Sequence, residues 1–221
     1  MELCRMEKVS KIYAMGEEVR PLNNISLNIE VGDFLSVQGP SGMGKSTLLY
    51  VMSGLLKPSE GDVFIKDINI RNIPDDEITD LRKKNIGFIF QETNLFQALT
   101  VEENLRFVLA VGQGKNIDQS KIDYYIQELG LAQRRNFLPN QLSVGQRRRL
   151  VAARALINDA PLILADEPTN DLDDGWAGRV MELLTDKVQG GGAVVMVTHN
   201  SYWAEKAGKH YTMQEGSLVL C

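Results

Sequence analysis

A glycine-rich run, Gly39-Pro40-Ser41-Gly42-Met43-Gly44-Lys45-Ser46, constrains this chain more than any other stretch. Phe34 to Gln38 reads as a short strand ending at Gly39, and a helix is expected from Lys45 to Gly54, a natural stop. Strand, glycine-rich loop and helix in that order match the phosphate-loop pattern. A backbone that wraps a polyanion with its amides needs crowded or left-handed dihedrals, which glycine tolerates. The start of the helix adds partial positive charge. On this pattern the Lys45 ammonium reaches the β- and γ-phosphates of a nucleotide, and the Ser46 hydroxyl serves a magnesium ion.

With 221 residues the chain is long enough for one large domain, or a core with a modest subdomain. Cys4 and Cys221 form no disulfide framework and suit a reducing compartment. The net charge of -5 and pI near 5.2 argue against a general nucleic-acid binder. The opening residues carry no signal-peptide pattern, and no apolar run reaches the roughly 18 residues of a membrane span. Work at a membrane is therefore expected to pass through a partner.

The chain divides by texture. Val9 to Tyr13 reads as an edge strand and Leu22 to Ile29 as a half-buried one. Gly61 to Ile65 and Ile68 to Ile70 form a hairpin, Asp75 to Lys84 a helix, and Ile86 to Phe90 a strand buried on both faces. From Glu92 to Asp159 strands give way to helices. Thr100 with Glu103 makes a capping box, a loop is expected over Gly112 to Asn116, and a helix over Asp118 to Leu129. Ser143 with Gln146 makes a second capping box. After Pro161 the strands return at Leu162 to Ala165 and Ala193 to Thr198, with a helix over Gly175 to Lys187 between them and a terminal hairpin turning at Glu215-Gly216.

Three strand ends bear polar groups. The apolar strand before Asp166-Glu167 ends in two acids, and in a parallel sheet ligands collect beyond the carboxyl ends of the strands. Asp166 suits magnesium, and Glu167 a water poised for attack on a γ-phosphate. His199, after the strand ending at Thr198, reaches the same crevice and suits a hydrogen bond to that phosphate or water. Gln91 ends the Ile86 strand, where its carbonyl suits magnesium; a simple polar strand cap is the alternative.

These elements, together with Leu142-Ser143-Val144-Gly145-Gln146, resemble the nucleotide-binding subunits of ABC transporters over essentially the whole chain. The resemblance implies an α/β fold: a P-loop NTPase core of ABC ATPase type with an N-terminal antiparallel β subdomain and an inserted helical subdomain. It places the core and β subdomain in 1–91 and 160–221 and the helical signature subdomain in 92–159, all within one ATPase domain. It implies ATP and magnesium as ligands, held by Gly39, Ser41, Gly42, Met43, Gly44, Lys45, Ser46 and Thr47, with Tyr13 stacked on adenine. It also implies that two copies close head to tail around two ATP molecules. Ser143, Gly145 and Gln146 then face the partner's nucleotide and Asp173 its phosphate loop. Catalysis falls to Glu167, His199, Lys45 and Gln91, and metal binding to Ser46, Gln91 and Asp166. Val144 stands where the family usually has glycine, which puts the rate of turnover in question.

Tyr13 with Gly16 to Leu22, and Ile86 to Gln91 with Asn94-Leu95, look like the lipoprotein-release, macrolide-export and peptide-resistance groups, although Asn170-Asp171 departs from their pattern. The implied role is an ATPase on the inner face of the membrane that powers a separate permease. A soluble or septum-associated ATPase without transport, and an ATP-binding subunit with weak hydrolysis, are the alternatives. Leu95, Phe96 and Leu99 suit either a partner's helix or the local core. The basic run Arg147-Arg148-Arg149 reads as the exposed start of the signature helix rather than a nucleic-acid site.

Overall fold

The computed structural model describes residues 1–15, 17–113 and 117–221; of the loop expected over Gly112 to Asn116, positions 114–116 lie outside the described residues. From the N-terminus, β1 (Glu2–Met15) and β2 (Glu17–Glu30) pair antiparallel. They lead to β3 (Phe34–Gln38), α1 (Lys45–Met52), β4 (Glu60–Ile65), β5 (Ile68–Asn69), α2 (Asp75–Asn85) and β6 (Ile86–Ile89). Helices α3 (Val101–Gln113), α4 (Gln119–Glu128) and α5 (Val144–Leu156) follow. The chain ends with β7 (Leu162–Asp166), α6 (Asp174–Gln189), β8 (Ala193–Val197), α7 (Ser201–Ala204), β9 (Lys209–Gln214) and β10 (Ser217–Leu220).

Two sheets result. An antiparallel one runs in the order β2-β1-β4-β5, and a six-stranded one in the order β10-β9-β3-β8-β7-β6. In the larger sheet β9, β3, β8, β7 and β6 are parallel, and only β10 is antiparallel. The expected edge strand at Val9 to Tyr13 is instead the interior strand β1, paired with β2 on one side and β4 on the other. A bulge hides it in the sequence: Lys8 takes a φ of 49°, and the inward positions shift from Cys4 and Met6 to Val9.

The parallel strands feed two cores by simple alternation. Leu35, Val37, Leu162, Leu164, Val195 and Val197 face α1 and the antiparallel sheet. Phe34, Ile163, Ala165, Val194 and Met196 face α5, α6 and the helical segment. Each fully buried Leu, Ile or Val contributes about 1.5–3 kcal/mol, so both faces are strongly anchored. Strand β6 departs from its expected burial on both faces. It is the edge of the sheet, and Ile86 and Phe88 are only half-buried. Cys4 lies in the first core, and burial pushes its thiol up to about 12. A disulfide reagent at pH 8 is therefore expected to modify Cys221, which is exposed, and to reach Cys4 only on unfolding.

The helical segment is tied by a charged cluster. Both capping boxes form: Thr100 N donates to Glu103 Oε2 at 2.8 Å, and Ser143 Oγ accepts from Gln146 N at 3.2 Å. Glu102 on α3 pairs with Arg135, with Arg106 at 2.6 Å and with Gln119 on α4 at 3.2 Å. The Arg135 contact, aided by Arg106 and Gln119, holds the Glu102 carboxyl at about 2 against an ordinary 4.5. Because the folded value is the lower one, this contribution is complete above pH 4.5 and fades as the pH falls toward 2. After allowance for screening at this partly exposed site, about 1 kcal/mol is expected. Denaturant titrations of wild type and Glu102→Gln should differ by that amount at pH 7 and converge at pH 2.

Candidate functional site

Four parallel strands deliver the site from their carboxyl ends. Strand β3 leads into the glycine-rich loop, β6 toward Gln91, β7 into Asp166-Glu167, and β8 into Thr198-His199. An open cleft of about 380 Å³ is lined by Tyr13, Val19, Pro21, Ser41, Gly42, Gly44, Lys45, Ser46, Thr47, Gln91, Asp166 and Glu167. Gly44 caps α1 in the left-handed region, at φ 96° and ψ 7°, with no side-chain cap and no acid in the first turn. The first amides of α1 are thus left to an external anion. Any Cβ at Gly44 would fall 2.2 Å from the Pro21 carbonyl oxygen, so the sequence has no choice there. Lys45 Nζ folds over the loop and donates to Gly39 O at 2.7 Å and Pro40 O at 2.9 Å. Its ammonium retains a third hydrogen for a phosphate. Met43 is exposed at the loop.

Asp166 is 2% exposed, and its Oδ2 has no hydrogen-bond partner. Burial raises its carboxyl above the usual range and the Glu167 charge adds to this; the Ser46 hydroxyl, Arg148 and Lys45 pull it back. A buried, orphaned carboxylate oxygen beside a hydroxyl is the donor set of a hard divalent cation. Asp166, Ser46 and Gln91 share the cleft, and their oxygens fit magnesium.

Glu167 is held more tightly. Its backbone takes a φ of 50°, unusual for a residue with a Cβ and worth about 1–3 kcal/mol of strain. The offset is visible: Glu167 N donates to Val197 O at 2.9 Å, and its carboxylate accepts from His199 N at 3.0 Å and Thr198 Oγ1 at 3.0 Å. Hydrogen bonds to a charged group contribute about 1.5–3 kcal/mol each, enough to fix the strained conformer. His199 Nδ1 lies 2.9 Å from Glu167 Oε1, and the ring is largely exposed. Its other nitrogen is free to meet a phosphate or a water. Thr198 was not anticipated, although a buried threonine ending an apolar strand beside His199 is a readable signal.

The remaining candidates lie apart. Ser143, Gly145, Gln146 and Asp173 do not line this cleft; they sit at the starts of α5 and α6. Ser143 is exposed, and its hydroxyl, though accepting from Gln146 N, keeps its own proton to donate. Gln146 Oε1 is occupied by Ser143 N at 2.9 Å, and Asp173 caps α6 by accepting from Trp176 N at 3.0 Å. Val144 is the first residue of α5 and 49% exposed. Its branched side chain rests on ordinary helical backbone and projects outward.

The arginine run is not exposed. Arg148 is 1% and Arg149 7% exposed. Arg149 Nη1 donates to Leu129 O at 2.6 Å and its guanidinium stacks 3.8 Å from the Trp176 ring. Arg148 Nη1 donates to Phe90 O and Gln91 O, both at 2.7 Å, and Nη2 to Asp166 O at 3.1 Å and to Glu167 O. The signal was present: Arg148 shares its helix face with Val151, Ala152 and Ala155, at i+3, i+4 and i+7.

Comparison with known proteins decides the family. The ABC transporter pattern matches residues 22–170. The chain belongs to the ABC transporter family. It is 42% identical to the uncharacterized ABC transporter ATP-binding protein MJ0796 of Methanocaldococcus jannaschii, over 98% of this chain and 95% of that protein. A dimeric structure of that cassette in a post-hydrolysis state, bound to ADP and Pi, superposes with a TM-score of 0.93 at 37% identity, covering 98% of this chain and 96% of that one. The lipoprotein-releasing system ATP-binding protein LolD of Aquifex aeolicus is 37% identical over 99% of this chain and 96% of its own. Against the macrolide export ATP-binding/permease protein MacB of Hyphomonas neptunium the identity is 35% over 98% of this chain, which spans only 34% of MacB. This ABC chain therefore has the P-loop ATPase fold with an antiparallel β subdomain and a helical insertion, and it binds and hydrolyses ATP with magnesium.

Proposed function

We propose that two copies of this ABC chain close head to tail around two ATP molecules and that the closure drives a separate membrane permease. The placement of Ser143 carries this reading. It sits, exposed, at the start of α5, where free amides suit an anion, yet outside the cleft formed by its own phosphate loop. Only a second copy can bring a nucleotide to it. The similarity to the dimeric cassette supports the same arrangement.

Within the closed site Glu167 accepts the proton of the attacking water on its carboxylate. The water oxygen bonds to the γ-phosphorus, and the bond to the β-bridging oxygen breaks, releasing ADP and phosphate. His199, hydrogen-bonded to Glu167 Oε1, orients that carboxylate and offers its second nitrogen to the γ-phosphate. Lys45 and the α1 amides hold the phosphate oxygens. Magnesium, held by Ser46, Asp166 and Gln91, supplies charge neutralisation at the β- and γ-phosphates when bound.

A permease fits the groove beside β6. Phe88, Phe90, Phe96, Phe107 and Val111 line it, with Arg154 among them. Of the apolar trio, Leu95 joins the core while Phe96 stays 39% exposed, its ring 4.6 Å from Phe107. Such a groove suits an amphipathic helix. MacB joins ATP-binding and permease parts in one name, and this chain spans only a third of it. Among the described residues no helix is long and apolar enough to cross a membrane. The proposed place of these residues is the cytoplasmic face, docked on the permease through this groove.

The test is oligomeric state by light scattering. Glu167→Gln is expected to be a dimer in saturating ATP and magnesium and a monomer in ADP. A variant that stays monomeric in ATP, alone and beside its permease, overturns the sandwich. Co-purification from solubilised membranes separates transport from a purely regulatory ATPase.

A further inference from the structure

The three consecutive arginines splay in three directions. Arg147 Nη1 turns back to Leu142 O at 2.6 Å. Arg149 turns toward α4 and the Trp176 ring of α6. Arg148 alone reaches the main chain behind the cleft, which it does not line. Its fork divides cleanly: Nη1 serves the end of β6 and the start of the Gln91 loop, while Nη2 serves the end of β7. Every acceptor is a main-chain oxygen. The contact therefore reads where the two loops stand, not which side chains they carry.

The same residue sits on α5, about one turn beyond the helix start that carries Ser143 and Gly145. The first turn of α5 also abuts the loop before α6, where a Cβ at Gly145 would meet Asp171 O at 3.2 Å. We propose that Arg148 is a positioning residue that couples the two ATP sites of the dimer: it locks the Gln91 loop and the Asp166-Glu167 backbone of one site to the helix that caps the nucleotide of the other. The proposal rests on the sandwich described above. A guanidinium is planar, permanently charged and forked, so it holds both loops in one fixed relation. A lysine is a point charge on a flexible stem and serves one loop at a time.

Arg148→Gln and Arg148→Lys in the full chain test this with three measurements. Affinity of the monomer for a fluorescent ATP analogue in the absence of magnesium should stay within about twofold, because no Arg148 hydrogen bond touches the phosphate loop and the groups it does hold serve the metal. The kcat for ATP should fall about 10- to 100-fold, with KM little changed, as expected for mispositioned reacting groups. In the Glu167→Gln background, the ATP concentration for half-dimerisation should rise at least about fivefold. Arg148→Lys should fall between wild type and Arg148→Gln on the last two readouts.

Wild-type kcat and dimerisation in both variants overturn the proposal. So does analogue affinity that falls in step with kcat, which marks a merely structural arginine. If Arg148→Gln fails to fold, Arg148→Lys decides by the same criteria. A parent Glu167→Gln that never dimerises removes the sandwich instead, and an unchanged kcat in the Arg148 variants would still remove this proposal by itself.

Discussion

Glu167→Gln is expected to lower ATP hydrolysis by about 10²–10⁴-fold, the range for removing a general base. The substitution is nearly isosteric, and the pocket can accept it. His199 N keeps an oxygen acceptor if the amide oxygen takes the place of Oε1. The amide NH₂ then faces Thr198 Oγ1, and that hydroxyl can turn from donor to acceptor. The variant should therefore fold, bind ATP and keep a melting temperature close to wild type, while phosphate release in a turnover assay nearly stops. A rate within threefold of wild type would take proton abstraction away from Glu167. The His199 ring should contribute through the same carboxylate, so adding His199→Ala to Glu167→Gln should cost much less than His199→Ala alone.

The second large effect is expected at the phosphate loop, and it separates two glycines that look alike in sequence. Gly44→Ala puts a methyl 2.2 Å from a backbone oxygen at a φ of 96°, so the loop or β2 must move. The amides of α1 then lose their aim, and ATP affinity should drop about 100-fold, the equivalent of about one hydrogen bond to a charged phosphate oxygen. Gly42 also has positive φ, at 81°, but its Cβ would meet open space. Gly42→Ala carries only the left-handed backbone cost of about 1–2 kcal/mol, and its affinity loss should stay near tenfold. Titration calorimetry of ATP with magnesium against both variants checks the order. Equal losses would mean that flexibility, not steric fit, is what the loop needs.

The difference between Gly42 and Gly44 also marks how far the sequence could be read. The phosphate loop, both capping boxes and the carboxyl-end positions of Gln91, Asp166 and His199 were legible, because each is a local pattern with its own chemistry. Strand β1 was under-read because the bulge at Lys8 breaks its alternation. Strand β6 was over-read because an apolar run does not reveal whether it lies at the edge of a sheet. The arginine run failed for another reason. Charge suggested solvent, yet Arg148 occupies an apolar face because four main-chain oxygens at the carboxyl ends of the neighbouring strands β6 and β7 wait there. Those acceptors belong to backbone, and backbone geometry leaves no letter in a sequence. The left-handed conformer of Glu167 is hidden in the same way.

Strand β7 carries structure and chemistry on one thread of alternating parity. Ile163 and Ala165 serve one core, Leu162 and Leu164 the other, and Asp166 and Glu167 close the row. Deleting any single residue from this strand would exchange the packing layers of the residues on one side of the cut relative to the other and move Asp166 out of register with the Glu167 turn that follows it. Single-residue deletions here should thus be severe lesions, whereas the same change in the turn at Gly190-Gly191-Gly192, beside the next strand, meets no such parity and should be better absorbed.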